Sequence, residues 1–241
     1  MPEPPLLNEL LSDQRNYYSA DSLTKLGAGF LAGGIMANTS IDEGIQKHFR
    51  ASVRGATSDD WFETLHANRE LGNGRYTLPV FAVAWAGGRL MEGLPGAEPA
   101  SEWGERSLRA VLVGAPPMLA MQLVTGASRP GETNAGSAWA PFQDNNGVSG
   151  HSFMGAIPFL CAAHTAENPL LKTLFYAGST LAPLSRVNDD AHYSSQALLG
   201  WWMAWIAATA VDRTSRDSSG NWDFVPFPDP SISGLAIRWT W

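Results

Sequence analysis

The chain is expected to be all-α: a helical bundle with a short strand-like tail at its C-terminus. Two stretches, residues 145–166 and 191–211, lack Asp, Glu, Lys and Arg for about twenty residues each, and a helix apolar on nearly every side is a buried helix. Sixteen prolines, twenty-four glycines and ten tryptophans suit helices joined by long loops. Only the last eleven residues, 231–241, alternate with the period of two that marks a strand.

A length of 241 residues suits one domain with a sizeable core. The expected division is an N-terminal arm (1–22), a helical domain (23–211) and a C-terminal tail (212–241). A net charge of −7 with no offsetting basic patch argues against nucleic acid as a partner. Cys161 is the single cysteine, which rules out an internal disulfide, and its apolar surroundings mark it as a small core residue.

Membrane association is the harder question. The two uncharged stretches approach the length of a bilayer span, but each opens with five or more polar or small residues. Mean hydropathy of −0.12 is low for a chain with many spans. A soluble or peripherally attached bundle is expected, with integral insertion as the alternative. Residues 1–22 are polar and proline-rich, without the apolar core of a signal peptide.

In chain order, residues 26–41 are uncharged and rich in small residues, a closely packed first helix. Residues 42–67 read as a polar helical stretch with Trp61, Phe62 and Leu65 as its apolar stripe. A turn at Leu71-Gly72-Asn73-Gly74 precedes a helix from about Thr77 to Leu90. Residues 92–101 read as a loop, and 107–124 as a helix bent at Pro116-Pro117. Residues 131–147 form a long Gly/Asn/Pro-rich loop carrying Trp139 and Phe142, which either lines a pocket or anchors itself by an aromatic. Helices at 151–166 and 170–181 flank Glu167-Asn168-Pro169, and a further helix starts near His192 and runs to Val211. In the tail, Leu235, Ile237, Trp239 and Trp241 share one face. That pattern is similar to the last strand of an outer-membrane barrel, yet one strand cannot close a barrel. A tail lying on the helical domain, or pairing with another copy, is expected instead.

Chemistry concentrates between Gln122 and Gln196. Val148-Ser149-Gly150-His151-Ser152 is a small-residue turn opening onto an apolar helix, and Ser185-Arg186-Val187-Asn188-Asp189-Asp190-Ala191-His192 is a polar turn feeding another. Thr125-Gly126-Ala127-Ser128-Arg129-Pro130 adds a second arginine on a loop. Arginine presents a fork of donors that fits phosphate oxygens and stays charged. A helix N-terminus contributes free N–H groups and partial positive charge. Ser149 reads as an N-cap, with Gly150 letting the backbone close on a ligand. One histidine can attack phosphorus while the other protonates the leaving oxygen. That scheme requires no metal.

These blocks resemble the signature of the type-2 phosphatidic acid phosphatase superfamily, which also holds bacterial non-specific acid phosphatases and vanadium-dependent haloperoxidases. The family pattern is Lys, six residues, Arg-Pro; then Pro-Ser-Gly-His; then Ser-Arg, five residues, His, three residues, Asp. Arg129-Pro130, Ser149-Gly150-His151 and Ser185-Arg186 with His192 match in order and spacing. A looser likeness spans roughly residues 70 to 205. The resemblance implies a bundle of the acid phosphatase/haloperoxidase type, with His192 as nucleophile through a phosphohistidine and His151 as general acid. Arg129, Arg186 and backbone N–H groups near Gly150 would hold the phosphate. It also implies a phosphorylated small molecule or lipid as substrate, no resident cofactor, and a place in the cell envelope or periplasm with peripheral membrane contact. Vanadate would act as an inhibitor. Homo-oligomers are compatible with it.

Three positions depart from the pattern: Gln122 stands for the lysine, Val148 for the proline and Gln196 for the aspartate. At helical spacing Gln196 reaches the His192 ring. Its carbonyl can accept the ring N–H, but with less charge stabilisation than a carboxylate, and a flipped amide would favour the wrong tautomer. Restoring Asp at 196 is therefore expected to raise turnover. Asp189, Asp190 and the basic run Lys47, His48, Arg50, Arg54 are the candidates to replace the missing charges. His164 reads as a satisfied or surface histidine, and His48 and His66 as solvated. Two alternatives stand beside a weakened phosphatase: a non-catalytic phosphate- or lipid-headgroup-binding domain, and a haloperoxidase with vanadate as cofactor.

Overall fold

The computed structural model describes residues 6–54, 60–133, 135–219, 221–226 and 235–240. Its axis is α10 (Ser194–Ser219). Leu199, Met203 and Ile206 of this helix are almost fully buried, as the three-to-four spacing of a core stripe requires. α7 (Gly150–Thr165) lies against it and contributes Phe153, Ile157 and Leu160. α6 (Ala97–Thr125) contributes Val113 and Met118 to the same core. Each such side chain stabilises the bundle by about 1.5–3 kcal/mol through burial.

The remaining helices wrap this centre. α1 (Leu6–Tyr17) and α2 (Ala20–Ala37) pack on α10. Ser19 caps α2 by accepting the Ser22 N–H. The segment expected as an arm thus buries Tyr17, and its Asp13 carboxylate accepts two bonds from Arg109, from Nε and Nη2 at 2.8 Å each. α3 (Ile41–Phe49), a π-helical turn (Arg50–Arg54) and α4 (Asp60–Ala67) lead into a 3₁₀ turn at Asn68–Gly72. α5 (Gly74–Leu90) pairs with α6. α8 (Pro169–Gly178) starts on an Asn168 cap with proline in its first turn. α9 (Leu181–Asn188) closes the set.

An all-α bundle with a strand-forming tail is the observed class. The boundaries differ in instructive places. Residues from Ala97 onward, expected as a loop, begin α6, and the helix runs through Pro116 and Pro117. Burial of Val113 and Met118 on either side outweighs the lost hydrogen bonds. α10 continues past Val211 because Asp212 is held by Arg106, His164 and Arg216. Ser185 and Arg186, expected on a turn, lie within α9. The strand Leu235–Thr240 (β2) pairs antiparallel with Asn221–Pro226 (β1), opposing Trp239 to Trp222 and Ile237 to Phe224. Its partner is its own chain. Residues 231–234 and Trp241 of the alternating tail lie outside the described residues, as do the side chains of Arg54, Trp61 and Phe62.

The expected core role of Cys161 holds: it is buried, and burial pushes its thiol up to about 12. The two uncharged stretches correspond to α7 and α10, whose apolar side chains face other helices. Among the described residues, α6 is the one helix long and apolar enough to cross a membrane.

Candidate active site

Four connections converge at one end of α7 and α10. α6 ends on Gly126, whose left-handed backbone (φ 58°) turns the chain into the loop carrying Ser128 and Arg129. Ser149 caps α7: its Oγ accepts the Ser152 N–H, while its own N–H donates to the Gln196 carbonyl at 2.9 Å. The N–H groups of Gly150 and His151, in the first turn, have no intrahelical acceptor. α9 delivers Arg186, and the turn between α9 and α10 delivers His192.

That turn is held from three sides. Asp190 adopts a left-handed conformation (φ 54°) and accepts from Gln46 and Arg50. Asp42, fully buried in the first turn of α3, accepts the Ser195 backbone N–H at 2.8 Å and its hydroxyl at 2.5 Å. Burial, opposed by these bonds, pushes the Asp42 carboxyl above its ordinary value. Gln196 supplies the third hold. It is the third residue of α10, and its Oε1 reaches back to the Tyr193 N–H at 3.1 Å, the return half of a capping box.

The same Oε1 lies 2.9 Å from His192 Nδ1, and Gln196 Nε2 donates to the Ser128 carbonyl at 2.7 Å. The amide orientation is thereby decided, since only a nitrogen can donate to Ser128 and only an oxygen can accept from Tyr193. His192 must then carry its proton on Nδ1, leaving the lone pair on Nε2. The expected ambiguity of a flipping amide does not arise. The His192–Gln196 contact is made by a cap, with His192 two residues outside the helix, and not across one helical face.

Electrostatics bind the set together. His192 is driven down to about 3 by burial, with the nearby Arg129, Arg186 and His151 charges adding to the effect and the Gln196 bond opposing it. His151, at the exposed mouth, is lowered by desolvation and by Arg186 and Arg129, with Glu70 opposing. Both arginine charges thus act on both histidines. Arg129 is exposed; its backbone N–H donates to Glu132. Arg186 is buried, donates from Nη2 to Asp189 at 2.5 Å, and has an Nε with no acceptor among the described residues. A buried donor left over in this way is a place for an anion.

The departures from the motif have clear local roles. Gln122 Nε2 donates to the Val148 carbonyl at 2.8 Å, fastening the turn before Ser149. Of the expected substitutes for the missing charges, Asp189 pairs with Arg186 and Asp190 with Arg50, so neither carboxylate is spent on His192. His48 lies beside Ser52. His66, expected to be solvated, contacts Asp189 at 3.0 Å; nothing in its sequence neighbourhood signalled this. Arg69 also escaped notice, although its charge acts on His151 and Arg186. His164 is satisfied, beside Asp212 and Thr209. In the 131–147 loop, Trp139 packs against Gly34 and Phe30, Ser137 donates to the Ala37 carbonyl, and Phe142 stays exposed. Trp139 is thus an anchor on α2. Among the described residues no group of three or more His, Cys, Asp or Glu side chains is spaced to hold a metal ion.

No curated protein and no solved structure matches the chain. Residues 111–218 match the family model described as PAP2 superfamily, a window that runs from within α6 to the end of α10 and contains every expected site residue. Over that window, a little under half of the chain, the sequence is similar to the PAP2 superfamily, the type-2 phosphatidic acid phosphatase superfamily that its three motif blocks resemble.

Proposed function

We propose that the protein is a metal-independent phosphoric ester hydrolase working through a phosphohistidine. The likeness of residues 111–218 to the PAP2 superfamily supports phosphatase-type activity in general. The observation that carries the finer reading is the hydrogen-bonded chain from Ser128 through Gln196 to His192 Nδ1, which leaves Nε2 with the lone pair. A buried neutral imidazole held in one tautomer is a nucleophile ready at neutral pH.

In the first step His192 Nε2 forms a bond to phosphorus as the ester P–O bond breaks. Protonated His151 gives its proton to the departing oxygen. Arg129, Arg186 and the N–H groups of Gly150 and His151 hold the non-bridging oxygens, where charge-assisted bonds are strongest. In the second step water attacks phosphorus, neutral His151 takes the water's proton, and the N–P bond breaks. Inorganic phosphate leaves and both histidines return to their starting forms.

Ser149 contributes as the cap that aims those N–H groups, Gln122 as the fastener of its turn, and Gln196 as the orienting group. The substrate class is a phosphate monoester or lipid phosphate. The test is phosphate release from p-nitrophenyl phosphate, with trapping of an acid-labile phosphoenzyme. Loss of both in His192→Ala supports the reading. Phosphate binding without release, abolished in Arg186→Ala, would instead indicate a binding module, and halide oxidation after vanadate loading a haloperoxidase.

A further inference from the structure

The segment that follows α4 forms a wall of the site that the motif does not include. His66 Nδ1 lies 3.0 Å from Asp189, the residue that holds Arg186. Six residues later, Gly72 lies so close to α7 that a Cβ there would sit 2.3 Å from the His151 carbonyl oxygen. Arg69 is midway between these two contacts, on the turn Asn68–Gly72 that packs against both α7 and α9. Its effect is felt at His151 and Arg186, lowering the pKa of each.

Its side chain is half-exposed and partly fixed. Arg69 Nε donates to Glu70 Oε1 at 2.9 Å, and Glu70 is held in turn by Asn73 Nδ2 at 3.1 Å. That arrangement uses one edge of the guanidinium, and among the described residues no hydrogen bond or ion pair engages its two terminal nitrogens. The motif position for a cation, by contrast, is Gln122, which is uncharged and engaged with Val148.

We propose that Arg69 is the third cation of the oxyanion site, supplied by the 3₁₀ turn Asn68–Gly72 in place of a lysine on α6, and that its terminal nitrogens bind the phosphate. This rests on the phosphatase reading only in taking a phosphate as the ligand. Because Arg69 sits at the rim, it contacts oxygens on the solvent side of the anion, opposite the buried Arg186. Planar two-point contact with an oxyanion is what a guanidinium does and an ammonium does not.

The test is calorimetric titration of the full chain with inorganic phosphate, comparing wild type with Arg69→Gln and Arg69→Lys, with a melting curve for each. Arg69→Gln is expected to weaken phosphate binding about tenfold or more with an unchanged melting temperature, and to flatten the salt dependence of binding. Arg69→Lys should recover part of the loss. Wild-type binding with an unaltered Arg69→Gln would overturn the assignment of Arg69 and leave the phosphate site standing. Absence of binding in the wild type would overturn the phosphate site and this assignment with it.

Discussion

Gln196 places its carbonyl oxygen 2.9 Å from His192 Nδ1 while its amide nitrogen donates to Ser128 at 2.7 Å. One fully buried side chain thus ties the arginine loop, the first turn of α10 and the His192 ring together. The expected benefit of an aspartate at this position reverses once that geometry is known. Aspartate is one methylene shorter and has no donor for Ser128. Gln196→Asp is therefore expected to lower kcat about tenfold or more, and to cost about 1–3 kcal/mol of stability for the buried carbonyl left unpaired. Gln196→Leu, which removes both bonds, should lower kcat about a hundredfold. Steady-state kinetics with urea unfolding of each variant checks both numbers. A rise in kcat for Gln196→Asp would show that charge at this position matters more than the amide's orientation.

His192 makes the fold sensitive to acid. Its folded pKa of about 3 lies below the ordinary value near 6.5, so between those limits the unfolded chain binds the extra proton. Stability contributed by neutral His192 is complete above about pH 6.5 and is lost as the pH falls toward 3, at up to about 1.4 kcal/mol per pH unit. His192→Asn should flatten that slope in urea unfolding between pH 6.5 and 4. Bound phosphate neutralises Arg129 and Arg186 around the ring and should raise the His192 pKa, readable by NMR titration.

In the proposed mechanism His151 sets the activity profile. As general acid it must be protonated, and burial with the two arginines holds its pKa below 6.5 in the free protein. His192 must stay neutral, which holds above about pH 3. kcat/KM should therefore peak on the acid side and fall as the pH rises through the lowered His151 value. The measurement needs a substrate with a poor leaving group, such as phenyl phosphate. His151→Gln should lose the alkaline limb and about 10²–10⁴-fold in rate.

Gly72 is required by close approach. Alanine there would drive its Cβ into the His151 carbonyl, a backbone atom that cannot swing aside. Gly72→Ala is expected to destabilise the protein by about 1–3 kcal/mol and to weaken phosphate binding, because Arg69 and His66 move with the turn. Melting and phosphate titration of the same sample measure the two effects.

The Asp13–Arg109 pair is a structural counterpart far in sequence from the site. Both groups are buried, and Glu9 and Glu105 also contact Arg109. Asp13→Ala removes its closest counter-charge and should cost about 3–5 kcal/mol. Activity per folded molecule should be unchanged, as judged by kinetics well below the unfolding midpoint.

Several parts of the site were readable because they depend on local chemistry. The cap at Ser149 follows from residue type beside an apolar run, and the cores of α7 and α10 from the absence of charge. Arg129, His151, Arg186 and His192 were recognisable because their blocks resemble a family motif in order and spacing. His66 and Arg69 were not. They lie more than a hundred residues from Asp189, and their place depends on how one 3₁₀ turn docks on α7, which no periodicity records. The tail shows the same limit: the alternation of 235–240 was plain, but its partner 221–226, which contains aspartate and proline, is identified as a strand only by the pairing.

The sequence by itself determined an all-α bundle and the identities of two arginines and two histidines suited to an oxyanion, since helix formation and side-chain chemistry are set by near neighbours. Only the tertiary structure decided which nitrogen of His192 is free, because that depends on Gln196 meeting Ser128 across sixty-eight positions of chain. The same holds for the buried state of Arg186 and the delivery of Arg69. Proton placement and charge pairing are properties of a shared, desolvated space, and folding alone creates that space.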